Sequence, residues 1–391
     1  MPCPTTTSTL DVPAVLAAVF PVDSGDGQIL VVGKRCADAV NNPMQSSEIR
    51  AVNCRQPTET RLQAACSRWN VGGCGQAFLG DGRLLLAGAA ADGSEPGLGH
   101  RKCASYTATS TSFTETANLG QNEEADGGEK RLTLCTLGTG ELLALDGACG
   151  KSGAERYQPL TDRWVQLPKG CPQSSTGDRH LRCHLLPDGD LFIPSPFASN
   201  GYCTRMDPWT GAAQTAAVYL PDPGYWAGDL PSVLLPLVPG NNYMPRILVC
   251  GQYPSQLLDF NYPTWHWQAV PRAGPMAMVR RPGSCATLLP TGQVLLTGGK
   301  AAVPTQTELY HPPFNAATQS HNYGTGSWET LQSTPIPPND QSGGCLALSR
   351  SFSPHIQTAP GPGSQLAPSS SATARSLPSK WLQPRALEMS S

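Results

Sequence analysis

Seven histidines and fourteen cysteines are the residues of this 391-residue chain best suited to ligate a metal or act as nucleophiles. His180 and His184 are four positions apart. In a strand they point to one face but stand about 13 Å apart, too far to share one ion, and they read as fillers or caps of a sheet. His266, between Trp265 and Trp267, reads as packing, and His100, His311, His321 and His355 fall in loops. No Ser-His-Asp arrangement, phosphate-cradling glycine loop or CxxC pair is present. Cys135, Cys183, Cys250 and Cys285 sit in apolar strands and read as buried free thiols. Cys36, Cys54, Cys66, Cys103, Cys149, Cys171 and Cys203 lie in stretches rich in Gly, Asn, Ser and Asp, read as loops. Some of those can pair in an oxidising compartment, which favours secretion. Met1 to Val22 makes a poor signal peptide, with no basic start and a short apolar core, Ala14 to Phe20. An absent true N-terminus would account for this.

The elements that must position these residues repeat along the chain. Six apolar strand segments are centred near Ile29, Leu85, Leu143, Leu191, Ile247 and Leu295. Five are entered through a turn ending in Gly27, Gly82, Gly140, Gly189 or Gly292, because glycine accepts positive φ without a Cβ clash. The segment around Ile247 keeps the strand without the turn. Asp81 and Asp188 are turn residues. The copies recur roughly every 45 to 60 residues, the length of one kelch-type propeller blade. The first blade reads as strands near Ala17 to Val22 and Gln28 to Gly33, then a long polar loop that includes Val52 to Pro57. The run from Glu155 to Trp164 closes a blade, with Tyr157 anchoring one strand and Trp164 packing the next. Glu308 to Pro312 with Trp328 repeats the form, and Arg205 to Gly211 is a weaker copy. These aromatics read as core staples between blades.

Composition agrees with an all-β, kelch-type β-propeller. Gly 40 and Pro 38 suit many short strands, and charged residues are only 14%. No apolar run is long enough for a membrane span. A net charge of −2 without a Lys/Arg cluster argues against nucleic acid. The expected organisation is a flexible N-terminal segment 1–14, a propeller over 15–340 and a low-complexity tail over 341–391. Six blades are recognisable of an expected seven. The tail is rich in Ser, Pro and Ala and reads as disordered, with too few apolar residues to offset the entropy of ordering.

His184 to Ile193, Ser232 to Leu237 and Ile247 to Gly251, in that order, resemble strand motifs of the glyoxal oxidase and galactose oxidase family of copper-radical oxidases. The plant and algal glyoxal-oxidase-like branch is the one resembled, over roughly residues 15 to 337. The resemblance implies a two-electron oxidation of an aldehyde or primary alcohol with O2 reduced to H2O2. It also implies one copper ion held by two His and two Tyr, with one Tyr cross-linked to a Cys. It further implies a disulfide between the Cys36 and Cys54 loops, an extracellular or cell-wall location, and a small aldehyde, carbohydrate or wall component as ligand.

The site residues that the resemblance implies are incomplete. The cross-linking Cys belongs nine residues before Gly82, where Gly73 stands; Cys74 is one residue late and is the candidate for that role. The radical Tyr belongs nine residues before Gly140, a place taken by Glu129-Lys130-Arg131. The Tyr-His pair expected after Ile336 is missing, and the last His belongs to a C-terminal β-sandwich outside this chain. No copper ligand is assigned, and no cofactor is expected in this chain. The expectation is an oxidase-like propeller that is inactive or truncated. The alternatives are a working copper-radical oxidase and a kelch-type protein-binding module.

Overall fold

The computed structural model describes residues 14–20, 28–33, 47–53, 60–67, 74–88, 101–107, 113–120, 132–146, 154–169, 182–194, 202–219, 230–250, 254–260, 265–271, 284–289, 291–298, 307–315, 317–318, 320–321 and 324–331. In the strands up to residue 67, at residues 146, 202 and 298, and over 215–219, it describes the backbone only. The expected flexible start, the place of a seventh blade and the tail over 341–391 lie outside these residues, apart from Ala14.

Short strands, those at the blade centres mostly apolar and buried on both faces, form six four-stranded antiparallel sheets among the described residues. The first holds β1 (Ala14–Phe20), β2 (Gln28–Gly33), β3 (Ser47–Asn53) and β4 (Thr60–Ser67). The second holds β5 (Gly75–Phe78), β6 (Leu84–Ala87), β7 (Cys103–Tyr106) and β8 (Thr114–Glu115). The third holds β9 (Leu132–Thr136), β10 (Leu142–Asp146), β11 (Glu155–Gln158) and β12 (Arg163–Gln166). The fourth holds β13 (His184–Leu185), β14 (Leu191–Ile193), β15 (Tyr202–Met206) and β16 (Ala213–Tyr219). The fifth holds β17 (Ser232–Leu234), β18 (Arg246–Val249), β19 (Ser255–Asp259) and β20 (Trp267–Val270). The sixth pairs β21 (Ser284–Leu288), β22 (Val294–Gly298), β23 (Glu308–His311) and β26 (Ser327–Thr330). A hairpin of β24 (Phe314–Asn315) and β25 (Ser320–His321) lies between its last two strands.

Each repeat segment is the second strand of its blade, and the turns at Gly82, Gly140, Gly189 and Gly292 join it to the first. In four blades Leu accepts a hydrogen bond from the glycine N–H three residues on: Leu79 from Gly82, Leu137 from Gly140, Leu186 from Gly189 and Leu289 from Gly292. Only the glycine is left-handed, with φ between 84° and 92° in these four. The connection is therefore a three-residue turn with a glycine bulge, one residue longer than the tight turn expected. Neighbouring turns also touch, since a Cβ on Gly80 would meet the Gly140 Cα at 2.9 Å.

The core lies between blades. Leu85, Leu142 and Tyr157 fill the second interface, Leu143, Leu145, Leu191 and Ile193 the third. Phe192, Ile247 and Phe260 fill the fourth, and Leu248, Leu257, Leu296 and Tyr310 the fifth. The expected staples are in place: Tyr157 packs on Trp164 at 5.1 Å and Tyr310 on Trp328 at 5.3 Å between ring centroids. The weaker copy differs. Met206 takes the buried tyrosine position, and Trp209 is 42% exposed under the Arg156 guanidinium, 4.4 Å away.

Several expected loops are strands. Val52 belongs to β3, whose Glu48 and Arg50 alternate with Ile49 and Ala51. Cys66 lies in β4, Cys103 in β7 and Cys203 in β15; Cys103, opposite Ala87, and Cys203, packed with Leu186 and Phe192, are both buried. His311 ends β23 and His321 ends β25.

Candidate functional site

The first strands of successive blades touch, β5 with β9, β9 with β13 and β17 with β21. Residues at the beginning of these strands are therefore the ones that one end of the stack can bring together. Cys74 directly precedes β5 and is buried, at 4% exposure. Burial, with the neighbouring Cys103 second, holds its thiol well above the ordinary range, so it is protonated at neutral pH. The next residue, Gly75, faces the third blade: a Cβ there would meet Leu134 Cγ at 2.9 Å and the Leu132 carbonyl oxygen at 3.0 Å. Gly75, Ala87 and Cys103 are cross-strand partners, and Ala87 and Cys103 pack with Leu132 and Ala144. β5 and β6 pair from Gly75 onward without a bulge. Cys74 itself stands one residue before the first paired position. Gly73 and Arg131 lie outside the described residues, as do Cys36 and Cys54.

His184 opens β13 opposite Phe192 and turns toward the fifth blade, where its Nε2 lies 2.8 Å from Ser232 Oγ at the start of β17. Burial, and then the charge of Arg182, lower its pKa to about 4, so the ring is neutral at pH 7. His184 stands five residues before Gly189 and Cys74 eight before Gly82. That offset places them about 10 Å apart along the strands, in blades that are not neighbours. His180 and His100 are outside the described residues. Packing around residue 266 falls to Trp265 and Trp267, and His266 itself is exposed. His311 bridges Gln293, just before β22, and Glu329 of β26, each at 2.9 Å.

The described tyrosines with buried rings, Tyr106, Tyr157 and Tyr310, all sit on third strands. Tyr157 donates its hydroxyl to Asp162 Oδ1 at 2.8 Å, and Tyr310 to the Thr325 carbonyl at 2.7 Å. Among the described residues none of the six first strands contains a tyrosine. No three His, Cys, Asp or Glu side chains converge among them either. Among the described residues, then, the buried phenols and His184 stand on different strands.

A second polar cluster, invisible to motif reading, joins blades five and six. Buried Arg246 donates from Nε and Nη2 to Asp259 Oδ2, at 2.8 and 2.7 Å, and from Nη2 to the Gly324 carbonyl at 3.0 Å. His321 caps it, with Nε2 3.2 Å from the Pro236 carbonyl oxygen. Burial lowers the His321 pKa, the Pro236 carbonyl opposes that, Arg246 adds to it and Asp259 opposes it. The one sequence signal was an Arg at the head of an apolar strand, Arg246-Ile247-Leu248-Val249.

No protein-family profile matches the chain, and no curated protein does. Among solved structures, a fungal alcohol oxidase of the AA5 family in complex with copper superposes with a TM-score of 0.55 at 17% identity. The match covers 83% of this chain and 66% of that one. Hydrazine synthase from Kuenenia stuttgartiensis matches with a TM-score of 0.47 at 11% identity, over 78% of this chain and 79% of that one. The chain thus spans just under two thirds of the alcohol oxidase. It has a copper-radical oxidase-like propeller fold, and at such identity the likeness is one of architecture.

Proposed function

We propose that this chain is an oxidase-like β-propeller without a working copper-radical centre, acting outside the cell as a binding or structural module for a carbohydrate, small aldehyde or wall component. The observation that carries the reading is the missing phenol. The chemistry that the resemblance implies needs a tyrosine where adjoining first strands meet, and Leu132 and Leu134 occupy the described face of β9 opposite Gly75. The register of Cys74 supports it further. Seven described cysteines are in no disulfide, so the cysteine argument for an extracellular location rests on the other cysteines.

The test is direct. The chain is loaded with copper under oxygen, and H2O2 is assayed with glyoxal, methylglyoxal and galactose. The reading expects no turnover above a copper-only control. Turnover that disappears in Cys74→Ala overturns it in favour of an active oxidase.

A further inference from the structure

We propose that the β24–β25 hairpin is a pH-operated clasp between blades five and six, shut while the His321 imidazole is neutral and released when that ring is protonated. On the blade-five side stands the loop joining β17 to β18. Asn241 Nδ2 in that loop donates to the His321 carbonyl at 3.3 Å, and the His321 N–H donates back to Asn241 Oδ1. The side chain of the same histidine reaches the Pro236 carbonyl oxygen, 3.2 Å from Nε2. Arg246 of β18 donates to the Gly324 carbonyl at 3.0 Å, and Tyr310 of β23 donates its hydroxyl to the Thr325 carbonyl at 2.7 Å. The chain then returns to β26 through Gly324 and Gly326, at φ of 124° and 76°. Glycine enters and leaves such a backbone without a Cβ clash, so these two positions form the hinge.

The geometry fixes which form of the imidazole the shut clasp holds. A carbonyl oxygen only accepts, so Nε2 carries the hydrogen, and in the neutral ring Nδ1 keeps its lone pair. His321 is 7% exposed, and its Nδ1 has no hydrogen-bond partner among the described residues. A proton added there is a buried charge with no described acceptor. The charged groups that face the ring are Arg246, which repels a new cation, and Asp259 of β19, which attracts one more weakly. Asp259 Oδ2 is already shared by two nitrogens of Arg246, at 2.8 and 2.7 Å. Residues 236–245 and 312–320 contain no Lys, Arg, His, Asp or Glu. Burial keeps the Tyr310 phenol protonated.

The direction of the switch follows. Burial, opposed in part by the Pro236 carbonyl, holds His321 of the shut clasp below its ordinary 6.5, and an opened hairpin returns the ring to that value. The clasp is therefore at full strength above 6.5 and weakens as pH falls from there through the lower value of the shut state. One proton is involved, so opening gains at most about tenfold per pH unit in that window. Release frees the β17–β18 loop from blade six while the four-stranded sheets stay paired. Neither Cys74 nor His184 takes part, so the clasp is separate from the copper question.

The experiment is hydrogen exchange of the full chain between pH 7.5 and 5.5, with each rate divided by that of an unstructured reference peptide at the same pH. Protection over residues 312–326 should fall several-fold, with about tenfold as the one-proton ceiling, while β6 and β10 keep theirs. In His321→Gln the side-chain amide can still donate to the Pro236 carbonyl but takes up no proton, so the pH-dependent loss should vanish. No loss in the parent, or an equal loss in β6 and β10, overturns the proposal. So does a loss that persists in His321→Gln, which would assign it to His311 at the hairpin root, bonded to Gln293 and Glu329. If the variant does not fold, the imidazole proton resonances of the parent chain decide alone: His321 should titrate below 6.5, and a value at or above 6.5 overturns the proposal.

Discussion

Replacing Asp259 by Asn removes the only described counter-charge of a guanidinium that is 3% exposed. The acceptors left to Arg246 are then neutral, the new amide oxygen at 259 and the Gly324 carbonyl. A buried cation left in this state costs about 3–5 kcal/mol. In a domain of this size each kcal/mol moves the midpoint by about 2 °C, so a loss of roughly 6–10 °C is expected by circular dichroism. The double variant Arg246→Met, Asp259→Leu removes both charges and should recover most of that loss, because the desolvation penalty goes with them. The hairpin should loosen in the double variant alone, since only there is the Arg246 bond to Gly324 lost, and hydrogen exchange over residues 312–326 reads this separately. A single variant that melts within about 1 kcal/mol of the parent, or a double variant as unstable as the single, refutes the reasoning.

Gly140→Ala should destabilise by about 2 kcal/mol, because φ is 84° and the new Cβ would approach Gly80 Cα to 3.2 Å; chemical denaturation measures it. Tyr157→Phe leaves the ring on Trp164 but deletes the bond to Asp162, and should cost about 1 kcal/mol by the same measurement. His184 has its folded pKa depressed, so its contribution is intact above the free value of 6.5 and is lost as pH falls toward about 4. That loss is on the order of 2 kcal/mol once its partial exposure is allowed for, and it should vanish in His184→Gln. His321 titrates in the same sense, so exchange over its hairpin should quicken below pH 6.5. Burial raises the Cys103 and Cys203 thiols to about 12, so iodoacetamide at pH 8 should modify them only after unfolding.

Local signals were legible in the sequence and long-range ones were not. The glycine turns declared themselves because the need for positive φ at Gly82, Gly140, Gly189 and Gly292 is settled within a few residues. The Tyr157–Trp164 staple spans one short turn and read equally well. Cys103 and Cys203 were misplaced because their neighbours Ala104, Ser105 and Thr204 are small or polar, and only the pairing with β6 and β14 makes them strand residues. Trp209 followed the pattern but not the packing, since Met206 already fills the core. The His184–Ser232 contact joins residues 48 apart and the Asn241–His321 junction residues 80 apart. No local spacing rule encodes either one.

The most direct measurement is a peptide map of the purified, copper-exposed chain, following the thiol of Cys74. With no phenol presented to it by the neighbouring blade, Cys74 should be recovered quantitatively as a single alkylated residue after denaturation. A peptide joining Cys74 to a tyrosine and lighter by two hydrogen atoms would contradict the account.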